Sequence, residues 1–528
     1  MAAIISPNLG EVIMKSTLLT SLSMDIFHLH KWDFLTGLIA LILLRTFYRL
    51  YFHPLARIPG PKLTAATSLY EFYHDVICGG RFTFQIEKMH QQYGPIVRIN
   101  PREVHIIDPS FYQEIYAPSS RRRDRDAPFV KAFGLPYASV ATVKHDVHRY
   151  RRSLLNDFFS RRSVLALSPM IGERIEKLMT RFTELYKEGR AVDLCDAFGA
   201  LTSDIVTFYC YGKSWGFLED PDFRSDIRTA GNDFAAFCHI NRFFPFLPNL
   251  LRRVPPYITS AFIPGKSALF EFQRSILQHF SAIVAGKTIA LTGDHNIINR
   301  LTSKDIPPEE RTINRLQDEG VTLVVAGSET TLRSLAFAAY YIFQDSAIRD
   351  KLRAELKEVL PTTTSTTTLP VLEKLPYLTG VVNEALRLSD VTVSRLPRVA
   401  PDETLQYHEH AIPPGTPVST SNYFVHRNPK IFPDPCKFDP ERWIRAAEEG
   451  VPLQKYLVAF TKGSRMCVCI NLAIMELYLT IAYYVRRFEF EILNTDPENI
   501  RVTRDLVVGL PETGVLEIHA KVTGIVQE

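Results

Sequence analysis

One stretch constrains this chain more than any other: Phe460 to Glu476, reading FTKGSRMCVCINLAIME. It carries Cys467 in a setting that suits a metal ligand. Gly463 permits a sharp backbone turn at positive φ. Arg465, two residues before the cysteine, brings a fixed positive charge that favours a thiolate. From Leu472 to Leu477 the residues turn helical, which puts Cys467 just ahead of a helix N-terminus. Free N–H groups and the helix dipole stabilise negative charge there. A thiolate held in this way can be the single protein ligand of a haem iron. Two plainer readings stand beside it. Cys467-Val468-Cys469 could be half a zinc site, but structural zinc asks for Cys-x2-4-Cys and further ligands at matching spacing. The remaining cysteines, Cys78, Cys195, Cys210, Cys238 and Cys436, form no second cluster. The other reading is a buried structural thiol, the commoner state of an isolated cysteine.

The order Phe460-x-x-Gly463-x-Arg465-x-Cys467 resembles the haem-binding loop of the cytochrome P450 family, and that resemblance favours haem over zinc or a packed thiol. Leu472, Ala473 and Glu476 follow the same pattern. One position departs from it: Cys469 stands where the family usually has glycine, close against the haem. A small side chain is tolerated there, at the risk of altered haem seating or redox potential.

With 528 residues the chain exceeds the usual single-domain length, and 46% hydrophobic with 11% aromatic content excludes wholesale disorder. A net charge of +4 is too mild to argue for nucleic acid. Seven cysteines in so long a chain are not a disulfide framework, and their odd number fits a reducing compartment.

After a tail at 1–32, with weak apolar content from Leu18 to Phe27, residues 33–52 hold the strongest apolar run, Phe34 to Leu44. A bilayer needs about 20 such residues. The run reaches that length only by including Arg45 and Arg49, which can snorkel to the headgroups, with Trp32, Tyr48 and Tyr51 as interfacial anchors. A cleaved signal or an interfacial helix are the competing readings, and no small-x-small site follows the run. Arg45, Arg49, Arg57 and Lys62 put the following chain in the cytosol. Residues 53–62 form a proline-rich hinge, His53-Pro54 through Pro59-Gly60-Pro61, which cannot continue a helix. Residues 63–528 then make one catalytic domain.

Along that domain, Phe82 to Gln92 is amphipathic, and Ile96 to Ile107 reads as two strands around Asn100-Pro101. Arg121 to Asp126 reads as a solvated, charge-dense loop. His148 to Phe159 reads as a helix, and 164 to 187 as another with Ile171, Ile175, Leu178, Met179 and Phe182 on its core face. Aromatics are dense from Phe208 to Tyr257, including Phe234, Phe237, Phe243, Phe244 and Phe246. Pro307 to Phe343 is the longest helical candidate, too polar through Glu329 and Arg333 to cross a membrane. Leu352 to Leu360 completes another helix, and PTTTSTTTLP at 361–370 is a low-complexity loop.

The resemblance gives these segments roles. Ala326-Gly327-Ser328-Glu329-Thr330-Thr331 is similar to the family's oxygen-binding motif. Gly327 would let the backbone pass the haem, Thr330 would hold a proton-donating water, and Glu329 would relay protons from solvent. His148 and Arg152 stand where the family has Trp-x-x-x-Arg on the haem propionates. Arg398 matches a further propionate arginine, with Arg395 the lesser candidate. Glu384-x-x-Arg387 and Arg442 in Pro440-Glu441-Arg442-Trp443 would form a buried charge network bracing the haem loop. The aromatic-rich segment would roof the substrate pocket and dip into the membrane.

The implied fold is mainly α with small β-sheets, a haem-thiolate fold behind an N-terminal anchor helix in the endoplasmic reticulum membrane. The implied cofactor is haem b with a cysteine thiolate. The implied reaction inserts one atom of O2 into a hydrophobic small molecule. Electrons would come from a separate NADPH-cytochrome P450 reductase, because no Gly-x-Gly-x-x-Gly or flavin motif occurs in the chain. Lys462, Arg465 and Arg442 would help dock that acidic partner. The segments LSDVTVSRLPRVAPDE and RRSLLNDFFSRRSV resemble membrane-bound fungal enzymes of secondary metabolism, nearest the trichodiene-oxygenase-like subgroup. A terpenoid substrate comes first, a polyketide or alkaloid second. A non-oxygenating isomerase or dehydratase would not need Glu329 and Thr330, and a non-catalytic haem protein has only Cys469 in its favour.

Overall fold

The computed structural model describes residues 32–223, 226–248, 250, 274, 276–278 and 297–526. The weakly apolar stretch Leu18 to Phe27 and the tail up to residue 31 lie outside it, as do the side chain of Phe234 and residues 251–257 of the aromatic-rich segment. Helix α1, Trp32–Tyr51, is long and apolar enough to cross a bilayer, and its apolar stretch is exposed. Its last turn docks: Arg49 donates to the Ala66 carbonyl at 2.6 Å, and buried Arg98 donates to the Arg49 carbonyl at 2.7 Å. The hinge is docked too. Leu55 and Ile58 bury themselves with Ile96 and Val104, so the proline-rich segment is part of the small-sheet core.

The principal helices, in chain order, are α2 Phe82–Tyr93, α3 His145–Asn156, α4 Ser168–Glu188, α5 Leu194–Tyr211, α6 Asp226–Phe243, α7 Ile313–Gln344, α8 Ser346–Val359, α9 Pro376–Leu388, α10 Glu441–Glu448 and α11 Ile470–Arg487. The expected helices form, with shifted ends. Pro307 and Pro308 make only a 3-10 turn, and α7 starts where the Thr312 side chain accepts the Arg315 N–H. The segment from 164 breaks at Leu167 because Pro169 fits only the first turn of a new helix. Helix α3 starts three residues before His148 and stops at Asn156. Asp193 caps α5 by accepting the Cys195 N–H at 3.0 Å, and Gly212 ends it in the left-handed region. Helix α5 is buried nearly all round, which marks it as a central element.

Strands β1 Ile96–Arg98, β2 Val104–Ile106, β3 Asp124–Arg125, β5 Arg398–Val399 and β8 Pro417–Ser419 form one sheet in the order β1-β2-β8-β5-β3. Strands β4 Ala191–Asp193, β9 Phe488–Leu493 and β12 His519–Ile525 form a second in the order β4-β12-β9. Two hairpins, β6 Leu405–Tyr407 with β7 His410–Ile412 and β10 Arg504–Leu506 with β11 Val508–Leu510, complete the set. The structure is thus mostly helical with small sheets, and its main apolar core joins α4, α5, α7, α9 and α11.

The run Arg121 to Asp126 is not a solvated loop. Arg123, Asp124, Arg125 and Asp126 are all buried, and Arg123, Asp124 and Asp126 meet distant partners of opposite charge. Arg102 holds Asp126 through two bonds of 2.5 and 2.6 Å, and Arg123 pairs with Glu403 at 2.5 Å.

A second buried ion cluster ties α6 to the start of the domain. Arg242 pairs with Glu71 at 2.8 Å and Asp75 at 3.0 Å. Arg395 pairs with Glu71 and, at 2.9 Å, with Glu103. Burial alone would push the Glu71 carboxyl up, but Arg242 and Arg395 overcome it and hold the group at about 2, below its ordinary 4.5. A folded-state value below the unfolded one means that the contribution is full above pH 4.5 and is lost as pH falls toward 2. Glu71→Gln should therefore cost about 3 kcal/mol in urea unfolding at pH 7, since Arg242 and Arg395 are each left with one carboxylate, Asp75 and Glu103. That deficit should shrink relative to wild type as the pH drops from 4.5 to 2. A pH-independent deficit would contradict the pairing.

Candidate functional site

A central cavity lies between α7 on one side and the Phe460–Cys469 loop with the start of α11 on the other. Gly463 turns at φ 76°, and a Cβ there would stand 2.3 Å from the Tyr116 and Ala117 carbonyls. Both the conformation and the space require glycine. Ser464 N–H then bonds to the Ala117 carbonyl at 3.0 Å, and Cys467 N–H returns to the Phe460 carbonyl at 2.9 Å. The loop is closed on itself, with Phe460, Cys467 and Cys469 on the cavity wall.

Burial pushes the Cys467 thiol up, while the Cys469 N–H bonded to its sulfur and the Arg152 guanidinium pull it down. The cation beside this thiol is thus Arg152, not Arg465 as the sequence suggested. Arg465 turns away and donates to the Thr142 and Val143 carbonyls at 2.6 and 2.7 Å. Arg152 is also placed differently from expectation. Its three nitrogens go to Asn156 Oδ1 at 2.8 Å and to the Met466 and Cys467 carbonyls at 2.7 and 3.3 Å, so it clasps the loop. Cys469 keeps the role of its position through its backbone, since the N–H is what reaches the Cys467 sulfur.

The unpaired positive charge sits elsewhere on the wall. Arg125 and Arg398 are direct partners across β3 and β5. Like charges directly opposite are unfavourable, more so when both are buried. Arg465 lies close enough to Arg398 that burial and this repulsion lower it to about 9. His148 points into the same region, held down to about 2 by burial and by Arg465, Arg125, Arg152 and Arg398. Arg125 Nε, Arg398 Nη2 and Arg465 Nε are buried without hydrogen-bond partners. Neither Arg125 nor Arg398 forms an ion pair among the described residues. Asp124, within reach of Arg465, is already taken by Lys144 at 3.1 Å and the His145 N–H at 2.8 Å. These donors fit a dianionic edge such as the two propionates of haem. Arg125 was missed in the sequence, where it lay inside a charge run and matched no motif. Arg395, in its Glu71–Glu103 pair, is accounted for away from the cavity.

Helix α7 presents Ala326, Gly327, Thr330, Thr331 and Ser334 to the cavity. Thr330 Oγ1 donates to the Ala326 carbonyl at 2.8 Å, the side-chain-to-backbone bond that loosens a helix turn. Gly327 serves packing: a Cβ there would stand 2.8 Å from Val206 Cγ2 of α5. Glu329 is not on the cavity wall. It is buried toward Arg333, 3.8 Å away, and toward Arg228 of α6. Burial raises its pKa against the pull of those two arginines, and its Oε2 has no hydrogen-bond partner.

The support network is present as expected. Arg387 grips Glu384 with bonds of 2.8 and 2.7 Å, both side chains fully buried. Arg442 Nε stands 3.4 Å from the same carboxylate, and Trp443 Nε1 donates to it at 3.0 Å. Arg387 also bonds the His426 carbonyl at 3.0 Å, and His426 Nε2 accepts the Val458 N–H at 2.9 Å, two residues before Phe460. The brace therefore reaches the cysteine loop. One expectation needs correction. Arg442 and Arg465 are both buried and cannot face a protein partner, which leaves Lys462, beside Lys455, from the proposed docking set. Among the described residues, the cavity wall includes none from α6, and residues 251–257 of the aromatic-rich segment lie outside the description.

A cysteine loop on a cavity wall facing a long helix, beside three buried arginines that form no ion pair among the described residues, defines a haem-thiolate type of site. The comparisons name the family: the Cytochrome P450 model matches residues 63–517, and the chain belongs to that family. It is 43% identical over 467 residues to the cytochrome P450 monooxygenase TRI4 of Trichoderma arundinaceum, spanning 88% of this chain and 90% of that one. It is 44% identical over 473 residues to the conidiogenone synthase PchP450 of Penicillium rubens, with 88% and 93% covered. To the cytochrome P450 monooxygenase aflU of Aspergillus parasiticus it is 40% identical over 497 residues, with 93% and 98% covered. The protein is a P450 monooxygenase, and the family brings a haem-thiolate cofactor.

If Arg125 holds an anionic haem edge, Arg125→Leu should speed haem loss to a scavenging apoprotein by about tenfold or more, the weight of one charge-assisted hydrogen bond. Unchanged loss would remove Arg125 from the haem site.

Proposed function

We propose that this protein hydroxylates or epoxidises a hydrophobic secondary-metabolite intermediate, a terpenoid first and a polyketide or alkaloid second. The observation that carries the reading is the pairing of the Cys467 loop with a cavity whose wall includes Val140, Leu155, Leu323, Ala326, Leu396 and Ala459. The terpenoid preference rests on the resemblance to trichodiene-oxygenase-like enzymes and on the likeness to the monooxygenase TRI4 and to conidiogenone synthase.

Cys467 would hold the haem iron through its sulfur, which the Cys469 N–H and the Arg152 charge steady. Arg125, His148, Arg398 and Arg465 would hold the haem's anionic edge. Haem bound by a thiolate supplies reductive activation of oxygen. The chain's own task is to exclude bulk water, orient an apolar substrate and deliver protons. Thr330 presents its hydroxyl to the cavity and can hold a water there. Glu329, one residue round the helix, takes protons from the Arg228 side and passes them on as its carboxyl swings. Electrons come from a separate NADPH-dependent reductase, which meets the side carrying Lys455 and Lys462.

Helix α1 anchors the protein in the endoplasmic reticulum membrane with the domain cytosolic, as the arginines after the apolar run favour. The exposed side chains of Leu63, Leu69, Tyr73 and Ile77, with Phe244 and Phe246 near Phe72, give the adjoining surface an apolar character that fits the same membrane.

The test is turnover in microsomes bearing the full chain and a reductase, offered terpenoid hydrocarbons with NADPH. Oxygenated product is expected, and Glu329→Gln should lower its rate by roughly 10²-fold. Thr330→Ala should keep NADPH consumption while losing product. Product formation indifferent to both changes, or rearrangement without NADPH, would point to non-oxygenating chemistry instead.

A further inference from the structure

Where α7 first reaches the cavity it meets the short turn Ser139–Ala141, and Ser139, Val140, Thr322 and Leu323 line the wall there. The two elements are bolted together. Ser139 N–H donates to Glu319 Oε2 at 2.8 Å, and Ser139 Oγ donates to Glu319 Oε1 at 2.6 Å. Tyr137 N–H donates to Asp318 Oδ2 at 3.0 Å. Glu319 is fully buried and pairs with Arg315, so it holds the serine and is itself closed to anything in the cavity. A charge-assisted bond thus keeps the Ser139 hydroxyl in one orientation.

That orientation decides what the wall can recognise. An ionised carboxylate only accepts, so the serine proton is spent on Glu319 and lone pairs are what the hydroxyl has left to offer. Thr322 Oγ1 donates to the Asp318 carbonyl at 2.8 Å and is an acceptor for the same reason. Both residues stay partly exposed, and their neighbours on the wall, Val140 and Leu323, are apolar. The charged donors of the wall, Arg125, Arg152 and Arg465, belong to the anionic edge and the cysteine loop.

A matching ligand brings a donor to these two oxygens. A hydrocarbon leaves them unmet, and an ether or ketone sets lone pair against lone pair. An amine would enter charged, which apolar walls oppose. We propose that Ser139 and Thr322 are specificity-determining residues that receive the O–H of an alcohol or phenol, so that the enzyme prefers an already hydroxylated intermediate to a hydrocarbon. This deepens the monooxygenase reading and rests on it. The reaction that supplies the substrate must then leave a free hydroxyl on its skeleton. Thr322 and Thr330 both line the cavity, eight residues or about 12 Å apart along α7. The recognised hydroxyl is therefore held at the end of the molecule remote from Thr330.

The test is titration of the haem-loaded full chain with a sesquiterpene alcohol, its methyl ether and the parent hydrocarbon, read as the change in the haem Soret band. The alcohol should bind about tenfold tighter than the other two, the weight of one hydrogen bond. Ser139→Ala and Thr322→Val should each shrink that ratio by at least about threefold, and the double variant should abolish it. Equal binding of alcohol and ether in the wild type would overturn the proposal, as would a ratio that survives in the double variant. Should Ser139→Ala fail to load haem, Thr322→Val carries the test alone, since valine keeps the shape of threonine. An aromatic phenol and its methyl ether separate the two readings. A preference for the phenol with no binding of any terpenoid keeps the Ser139–Thr322 site and removes the terpenoid. Terpenoid binding without regard to the hydroxyl does the reverse, and no Soret change with any probe would overturn both.

Discussion

Arg125 and Arg398 face each other across two short strands, buried, with Arg465 and His148 beside them. No arrangement of the described protein groups neutralises this set. The repulsion must be met by an anion from outside the chain, and the free Nε and Nη2 donors point to where it binds. Cofactor uptake is therefore coupled to stability: a ligand that binds only the folded state adds its binding free energy to folding. The elements that deliver these four residues, β3, α3, β5 and the cysteine loop, come from well-separated parts of the chain. The cavity is the point at which the fold closes.

The cysteine loop sits on the opposite logic, in which its backbone is tied down by neighbouring protein groups. Gly463 lets the backbone pass Tyr116 and Ala117, Arg152 clasps the Met466 and Cys467 carbonyls, and the Glu384 carboxylate gathers Arg387, Arg442 and Trp443. Removing one partner of such a buried network leaves the others stranded, which is why the loop is held so firmly. A rigid loop below and a loosened turn at Thr330 above place the reactive space between a fixed wall and an adaptable one.

Much of this was legible in the sequence wherever the signal was local. The glycine turn at Gly463, the strands around Asn100-Pro101, the core face of α4 and the Glu384–Arg387 spacing all depend on neighbours a few residues apart. Charge placement was not legible, because it depends on partners far along the chain. Arg125 looked like part of a solvated run until β5 brought Arg398 against it. Arg442 and Arg465 were also expected to face a protein partner, yet both are buried and donate to backbone carbonyls. Glu329 and Thr330 are adjacent in sequence, but a helix turns successive side chains about 100° apart, so only Thr330 reaches the cavity.

Cys467 is proposed to present a thiolate to haem iron from this loop. The most direct measurement is the reduced, carbon-monoxide-bound difference spectrum of the full chain beside Cys467→Ser and Cys469→Gly. A thiolate-type Soret band is expected in the wild type and in Cys469→Gly, lost only in Cys467→Ser. Cys469 acts on the ligand through its backbone N–H, which glycine keeps. A wild-type band at the blue-shifted position of neutral ligands, or a thiolate band surviving in Cys467→Ser, would contradict it.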